Sequence, residues 1–398
     1  MKKLFAAVML LTLASCTASI QDVTEPAPDT TPQEEDQAPV SPTHPADVSI
    51  PLGKNAIVAA TNWTDPVGSL ASVSTADFAA STALVTTDGS DVVLKSFFDK
   101  IYVINRFGVD TIQVINPEGY GIIANYSVGA GSNPQDIWVA SEEKAYVSRL
   151  DAQNDATDTS DVLIINPLTG EKLGVLDFKS YMNDDGDNLS RAAQMVGVDK
   201  YLLITLQDLP TNLLDKANAN GKLAIVDMET DEIVDVIVLA GRNPADITYS
   251  PMTKMVYISE SGVFDNFMTD VNDPYGGIEV IDPIAFESKG IVVDDKDLGA
   301  YTQAVRLASD TVGYVITGGL AIASFNPTTY AVINGAFYTT AGFYLPDFSI
   351  DKSGNLYIAE TAFGNAGIVV MDGSGTQLAG PVAVGAPPSS ITFAAYEE

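Results

Sequence analysis

Cysteine and histidine are nearly absent from this sequence. The 398-residue chain has one Cys, Cys16, and one His, His44, and both fall in its first 44 positions. A Ser-His-Asp triad needs an imidazole base, a thiol hydrolase needs a Cys, and zinc sites draw mainly on these two residue types. None of these chemistries is expected in the body that follows, and neither zinc nor His-ligated haem is an expected cofactor. Carboxylate, Tyr or hard-metal chemistry stays open. Basic residues are scarce as well. The 20 Lys and Arg stand against 52 Asp and Glu, for a formal charge of −32. A field of that sign repels nucleic acid and attracts cations, so no nucleic-acid partner is expected.

What is present begins with an address. Lys2-Lys3 precede an apolar run from Leu4 to Ala14, which is too short to span a bilayer as a helix. Leu13-Ala14-Ser15-Cys16 follows and resembles the bacterial lipobox, in which the Cys becomes the lipidated first residue. That resemblance implies a signal peptide over 1–15, acylation at Cys16 and attachment to a lipid membrane. Thr17, where Asp would signal inner-membrane retention, favours the outer membrane and leaves its side open. Residues 16–50 carry Pro, Thr, Glu, Asp and Gln without Lys or Arg, and are expected to form an extended, disordered tether.

The remainder, 51–398, is repetitive, and its 31 Gly and 21 Pro beside many β-branched residues suit short strands and tight turns. Asn133-Pro134-Gln135-Asp136-Ile137 returns as Asn243-Pro244-Ala245-Asp246-Ile247. Tyr102-Val103, Tyr146-Val147, Tyr257-Ile258, Tyr314-Val315 and Tyr357-Ile358 mark one strand. Val114-Ile115-Asn116-Pro117, Ile164-Ile165-Asn166-Pro167, Ile225-Val226-Asp227 and Val280-Ile281-Asp282-Pro283 mark the next. These residues resemble the YVTN-repeat family, which implies an all-β, seven-bladed propeller. One four-stranded blade cannot bury both of its faces, so blades must stack around an axis. First strands are expected near Val92, Asp136, Ala192, Asp246, Ala304, Asp347 and Ser390. The last has no successors and the chain start has no first strand, so N- and C-terminal strands are expected to complete one blade.

Strand direction then sorts the loops. The insertions Asp151–Ser160, Asp208–Asn220 and Ser261–Tyr275 join second to third strands, and Lys179–Ser190 joins two blades. All four are expected on one rim, where ligand sites of rigid rings lie; tolerated surface insertions are the alternative. Asn183, Asp185 and Asp187 sit at the first, third and fifth positions of a run resembling the start of an EF-hand loop, which implies Ca2+. The run departs from that pattern at Asn188 and Gln194, and a solvated acidic turn fits it equally.

Arg106, Arg149, Arg191, Arg242 and Arg306 are the only arginines. Four map to the long-loop rim and Arg306 to the channel, where guanidiniums could grip carboxylate or phosphate. Pairing of each with a nearby Asp is the competing expectation. Trp63, Phe107 and Tyr344 share the rim and could complete a mixed pocket. Asp136, Asp246 and Asp347 recur at strand starts and are read as structural. The leading expectation is a lipid-anchored, non-enzymatic binding protein of the cell envelope that takes a small anionic molecule or an outer-membrane protein partner. A metal-assisted, lactonase-like hydrolase is the second expectation, with Asp136, Asp246, Glu260 and Glu360 the first acids to test. A structural or adhesive envelope protein is the third.

Overall fold

The structure is a computed structural model that describes residues 53–394, apart from 63, 152–161, 183–188, 210–219, 266–267 and 270–273. Cys16, His44, Trp63, Asn183, Asp185 and Asp187 therefore lie outside the described residues.

Seven four-stranded antiparallel sheets follow one another along the chain, with one two-stranded hairpin beside them. We number the blades by sequence: 1 (92–127), 2 (134–176), 3 (192–238), 4 (244–294), 5 (302–339), 6 (348–382) and 7, in which Pro388–Phe393 is the inner strand and 55–86 supplies the outer three. The inner strands begin within a few residues of the expected positions. Closure is also as expected. Asn55–Ala60 pairs with Pro388–Phe393, in the register Ala56↔Phe393, Ile57↔Thr392 and Val58↔Ile391.

Burial explains the composition of each strand. Second and third strands are covered on both faces by neighbouring blades. Lys100–Asn105, Lys144–Arg149, Val162–Ile165 and Gly367–Met371 accordingly read as unbroken apolar or small runs and are buried almost throughout. Fourth strands ride outside, so Ile122–Ser127 and Glu232–Val238 are largely exposed.

The repeated Asn or Asp after the third strand caps its own turn. Asn166 Oδ1 accepts the N–H groups of Leu168 and Thr169, both at 3.0 Å, and Asn326 does the same for Thr328 and Thr329 at 2.9 and 2.8 Å. A left-handed residue then turns the chain into the fourth strand, with φ of 70° at Gly170, 54° at Phe286 and 63° at Tyr330. At Gly170 a Cβ would lie 2.4 Å from the Tyr126 ring, so that position is closed to any side chain.

The recurring second-strand Tyr residues latch blade to blade. Tyr146 donates to Asp231 and Tyr257 to the Pro327 carbonyl at 3.1 Å, each in the next blade's third-to-fourth turn. Tyr357 stacks edge-on against Phe393 of the closing strand at 5.2 Å. Trp138 packs edge-on against Phe97 at 5.0 Å and over Gly197, whose missing Cβ makes room for it. It thus joins the inner strands of blades 1, 2 and 3.

Candidate functional site: the loop rim and the channel mouth

Each inner strand starts at the rim where second strands hand over to third strands and where blades are linked. The connections 150–161, 207–221 and 262–275, and the link 177–191, all leave the described strands on this rim. We call it the loop rim and the opposite one the turn rim.

Just inside the loop rim the inner strands are stapled in pairs. Asp136 accepts the Met195 N–H at 2.9 Å, Asp246 the Val305 N–H at 2.9 Å, and Asp347 the Ile391 N–H at 2.8 Å. One carboxylate thus joins blades 2 and 3, one blades 4 and 5, and one blades 6 and 7. The recurrence of Asp at these strand starts therefore has a structural cause. Two cations answer the three acids: Lys95 Nζ lies 3.1 Å from Asp136, while Arg306 binds Asp246 directly and has Asp347 at 3.7 Å. Burial pushes the Asp136 and Asp347 carboxyls above the usual carboxylate range, and Lys95 and Arg306 respectively oppose that push.

At the mouth, Arg106 donates from Nε and Nη2 to Asp91 at 3.1 and 2.6 Å, and from Nη1 to Gln135 at 3.1 Å. Phe107 beside it is half exposed. The Tyr344 hydroxyl is pushed up to about 12, chiefly by burial, with Arg106 opposing the shift. Arg106 and Tyr344 are therefore brought together, and Arg306 lies below them in the channel.

The remaining arginines are placed elsewhere on the rim. Arg149 is buried and donates to the Val128 carbonyl at 3.3 Å. Arg191, also buried, meets Asp151 at 3.4 Å. The guanidinium of Arg242 lies 3.7 Å from the Tyr275 ring centroid. Each of the five guanidiniums thus meets an acid, a carbonyl or an aromatic ring.

Glu260 and Glu360 occupy the same place, at the end of the second strand in blades 4 and 6, yet their environments differ. Glu360 accepts from Tyr338 and Thr340 hydroxyls at 2.6 Å each and from the Ala362 N–H at 2.7 Å. Glu260 is fully buried and neither of its oxygens has a hydrogen-bond partner. The neighbouring link is instead held by Glu279, which accepts from the Ala240 and Gly241 N–H groups at 3.0 and 2.8 Å. Burial, and then the Glu279 charge, hold the Glu260 carboxyl well above its usual range.

The folded protein therefore keeps a proton on Glu260 that the unfolded chain releases above about 4.5, the ordinary Glu value. Its contribution to stability is complete below that value and declines as pH rises through the window above it, by about 1.4 kcal/mol per pH unit. Glu260→Gln should remove this decline. Its melting temperature should match the parent near pH 4 and exceed it at pH 8; a constant difference between the two pH values would refute the assignment.

Sequence reasoning missed Lys95, Asp91 and Gln135. Lys95 alone left a signal, as a charge interrupting the apolar inner strand Val92–Phe97. Among the described residues, no group of three or more His, Cys, Asp or Glu is placed to hold a metal ion.

Fold and strand pairing together define the chain as a seven-bladed β-propeller. No protein-family profile matches it, and no curated protein sequence does. Solved structures do. A putative 6-phosphogluconolactonase from Bacteroides fragilis is similar with a TM-score of 0.61 and 13% identity, over 86% of this chain and 98% of its own. A functionally unknown protein from Desulfotomaculum acetoxidans gives 0.57 and 13%, over 86% and 100%. Hydrazine synthase from Kuenenia stuttgartiensis gives 0.54 and 12%, over 85% and 99%. At these identities the likeness establishes the shared fold alone.

Proposed function

We propose that this chain is an exported, lipid-anchored envelope protein of the YVTN type, and that its loop rim binds a ligand or a partner. The observation that carries this reading is the commitment of the channel acids. Asp136, Asp246 and Asp347 hold neighbouring inner strands together, Glu360 is fully bonded, and Glu260 is sealed in the blade. The acids first in line for hydrolysis are thus occupied by structure, while the described strands that carry the long connections all end on one rim. Attachment through Cys16, an outer-membrane location and calcium at Asn183, Asp185 and Asp187 belong to this proposal on the strength of the sequence. An anionic small molecule would enter at Arg106, where it would compete with the partly exposed Asp91.

The test is purification of the chain from its host, with mass spectrometry of what accompanies it. A molecule or protein should co-purify, and Arg106→Ala combined with Phe107→Ala should reduce its retention at least tenfold. If nothing accompanies the chain, or if retention survives the double change, the reading is wrong.

A further inference from the structure

The loop rim is divided. On blades 5 and 6 and the link to blade 7, its segments 318–320, 340–346, 361–366 and 383–387 contain no charged residue, in a chain with 52 acidic and 20 basic ones. The same segments expose Phe363 completely, Phe343 by half and Leu320 by nearly half. A fully exposed Phe forgoes the roughly 1.5–3 kcal/mol that burial of a large apolar side chain provides, so folding gives no reason for it. Several such side chains together mark an interaction surface.

These side chains stand on loops that are tied to one another. The Leu345 N–H donates to the Gly319 carbonyl at 2.7 Å, and the Thr340 N–H to that of Leu320 at 2.9 Å. Thr361 Oγ1 donates to the Tyr344 carbonyl at 2.5 Å. The buried Glu360 carboxylate accepts from Ala341 N and Ala362 N, which lie beside Phe343 and Phe363. The anchors are therefore presented in a fixed arrangement, so little ordering is needed when they are covered.

Acid flanks the sector. On the blade 4 side, the short helix Asp295–Leu298 carries an exposed Asp297, with Asp294 as its cap. On the blade 7 side lie the exposed Asp65 and the partly exposed Asp88. Of the basic residues described on this rim, Arg149, Arg191 and Lys222 are buried, Arg106 is paired and Arg242 lies against the Tyr275 ring, while Lys179 is half-buried on the distant link between blades 2 and 3. Lys296 is exposed between Asp294 and Asp297, which leave that margin net acidic. An apolar centre between acidic margins complements a surface of the opposite pattern.

We propose that this sector docks a protein segment that carries aromatic or aliphatic anchors beside Lys or Arg. The proposal rests on the reading of the loop rim as the binding face and names the class of partner it takes. The probe is a library of displayed random dodecapeptides, selected on the full chain purified from its host. Enriched peptides should combine large apolar residues with Lys or Arg, and added salt should weaken their binding. Phe343→Ser with Phe363→Ser should lower their affinity at least tenfold at unchanged melting temperature. Ile284→Ser, at an exposed position on the turn rim, should leave it unchanged. No enrichment, acidic peptides, or peptides indifferent to the Phe pair would overturn the inference. Such peptides displaced by Arg106→Ala would leave the loop rim as the binding face. Loss of binding in Ile284→Ser would overturn both.

Discussion

A chain that ends at Pro387 is expected to yield no folded, soluble monomer. The deleted segment contains the inner strand of blade 7, and its absence leaves Asn55–Ala60, the most deeply buried strand of that blade, as an open edge. Ile391 and Phe393 leave the core formed with Tyr357, Val58 and Ile368, at a cost of roughly 5–10 kcal/mol on the scale of buried Ile and Phe removal. That alone is comparable to the net stability of a typical domain, about 5–15 kcal/mol. Three further ties go with the strand. Ile391 N–H no longer caps Asp347, Ser390 Oγ no longer accepts from Leu94 N at 3.1 Å, and Ser389 Oγ no longer donates to the Ala59 carbonyl at 3.3 Å. Circular dichroism and size exclusion should report loss of the β signal and aggregation. A synthetic peptide covering 385–396, added during refolding, should restore a soluble species. A truncated chain that melts like the parent would show that blade 7 does not close the ring in this way.

The architecture was legible because each blade repeats the same physical problem. Second and third strands must be apolar on both faces, the turn after the third needs an Asx cap, and inner strands need a donor–acceptor tie to the next blade. Each requirement leaves a residue at a fixed place, such as Tyr146, Asn166 and Asp136. The site was less legible because it depends on which neighbours converge, and sequence spacing does not encode that. Arg191 and Asp151 are 40 positions apart, and Arg306 and Asp246 are 60 apart. Glu260 and Glu360 make the same point. Both end second strands, but Tyr338 and Thr340 serve the latter and nothing serves the former. Phe363 sits among turn-forming residues in Thr361-Ala362-Phe363-Gly364-Asn365, and only its exposure sets it apart from the other Phe residues of the core.

The channel network sets up the second large effect. Arg306 projects from the blade 5 inner strand to Asp246 of blade 4 and Asp347 of blade 6, so three consecutive inner strands share one guanidinium. The two carboxylates are also spoken for by Val305 N and Ile391 N, and cannot turn away to water without releasing those staples. Arg306→Met keeps most of the side-chain volume and removes the cation. Two carboxylates are then left in the channel without a cation, held by backbone donors and, at Asp347, by the Ser390 hydroxyl at 3.3 Å. Breaking a buried ion pair from one side costs about 3–5 kcal/mol, and the partial exposure of Arg306 places this case near the low end, at about 3 kcal/mol. On a ring of this size that corresponds to a fall of roughly 5–10 °C in melting temperature. The pH dependence identifies the cause. Burial already raises the Asp347 carboxyl and Arg306 restrains the rise, so its loss raises that carboxyl further. The folded variant then binds a proton that the unfolded chain does not, and its stability declines as pH climbs above the ordinary Asp range. The deficit relative to the parent should be largest at pH 8 and should shrink toward pH 4, as the Asp347 carboxyl takes up its proton. Adding Asp347→Asn to Arg306→Met should recover part of the loss at pH 8, because one of the two stranded charges is gone while the amide oxygen can still accept from Ile391 N. A deficit that is equal at pH 4 and pH 8, or a double variant worse than the single one, would mean that Arg306 acts through packing and not as the shared counter-charge of the channel.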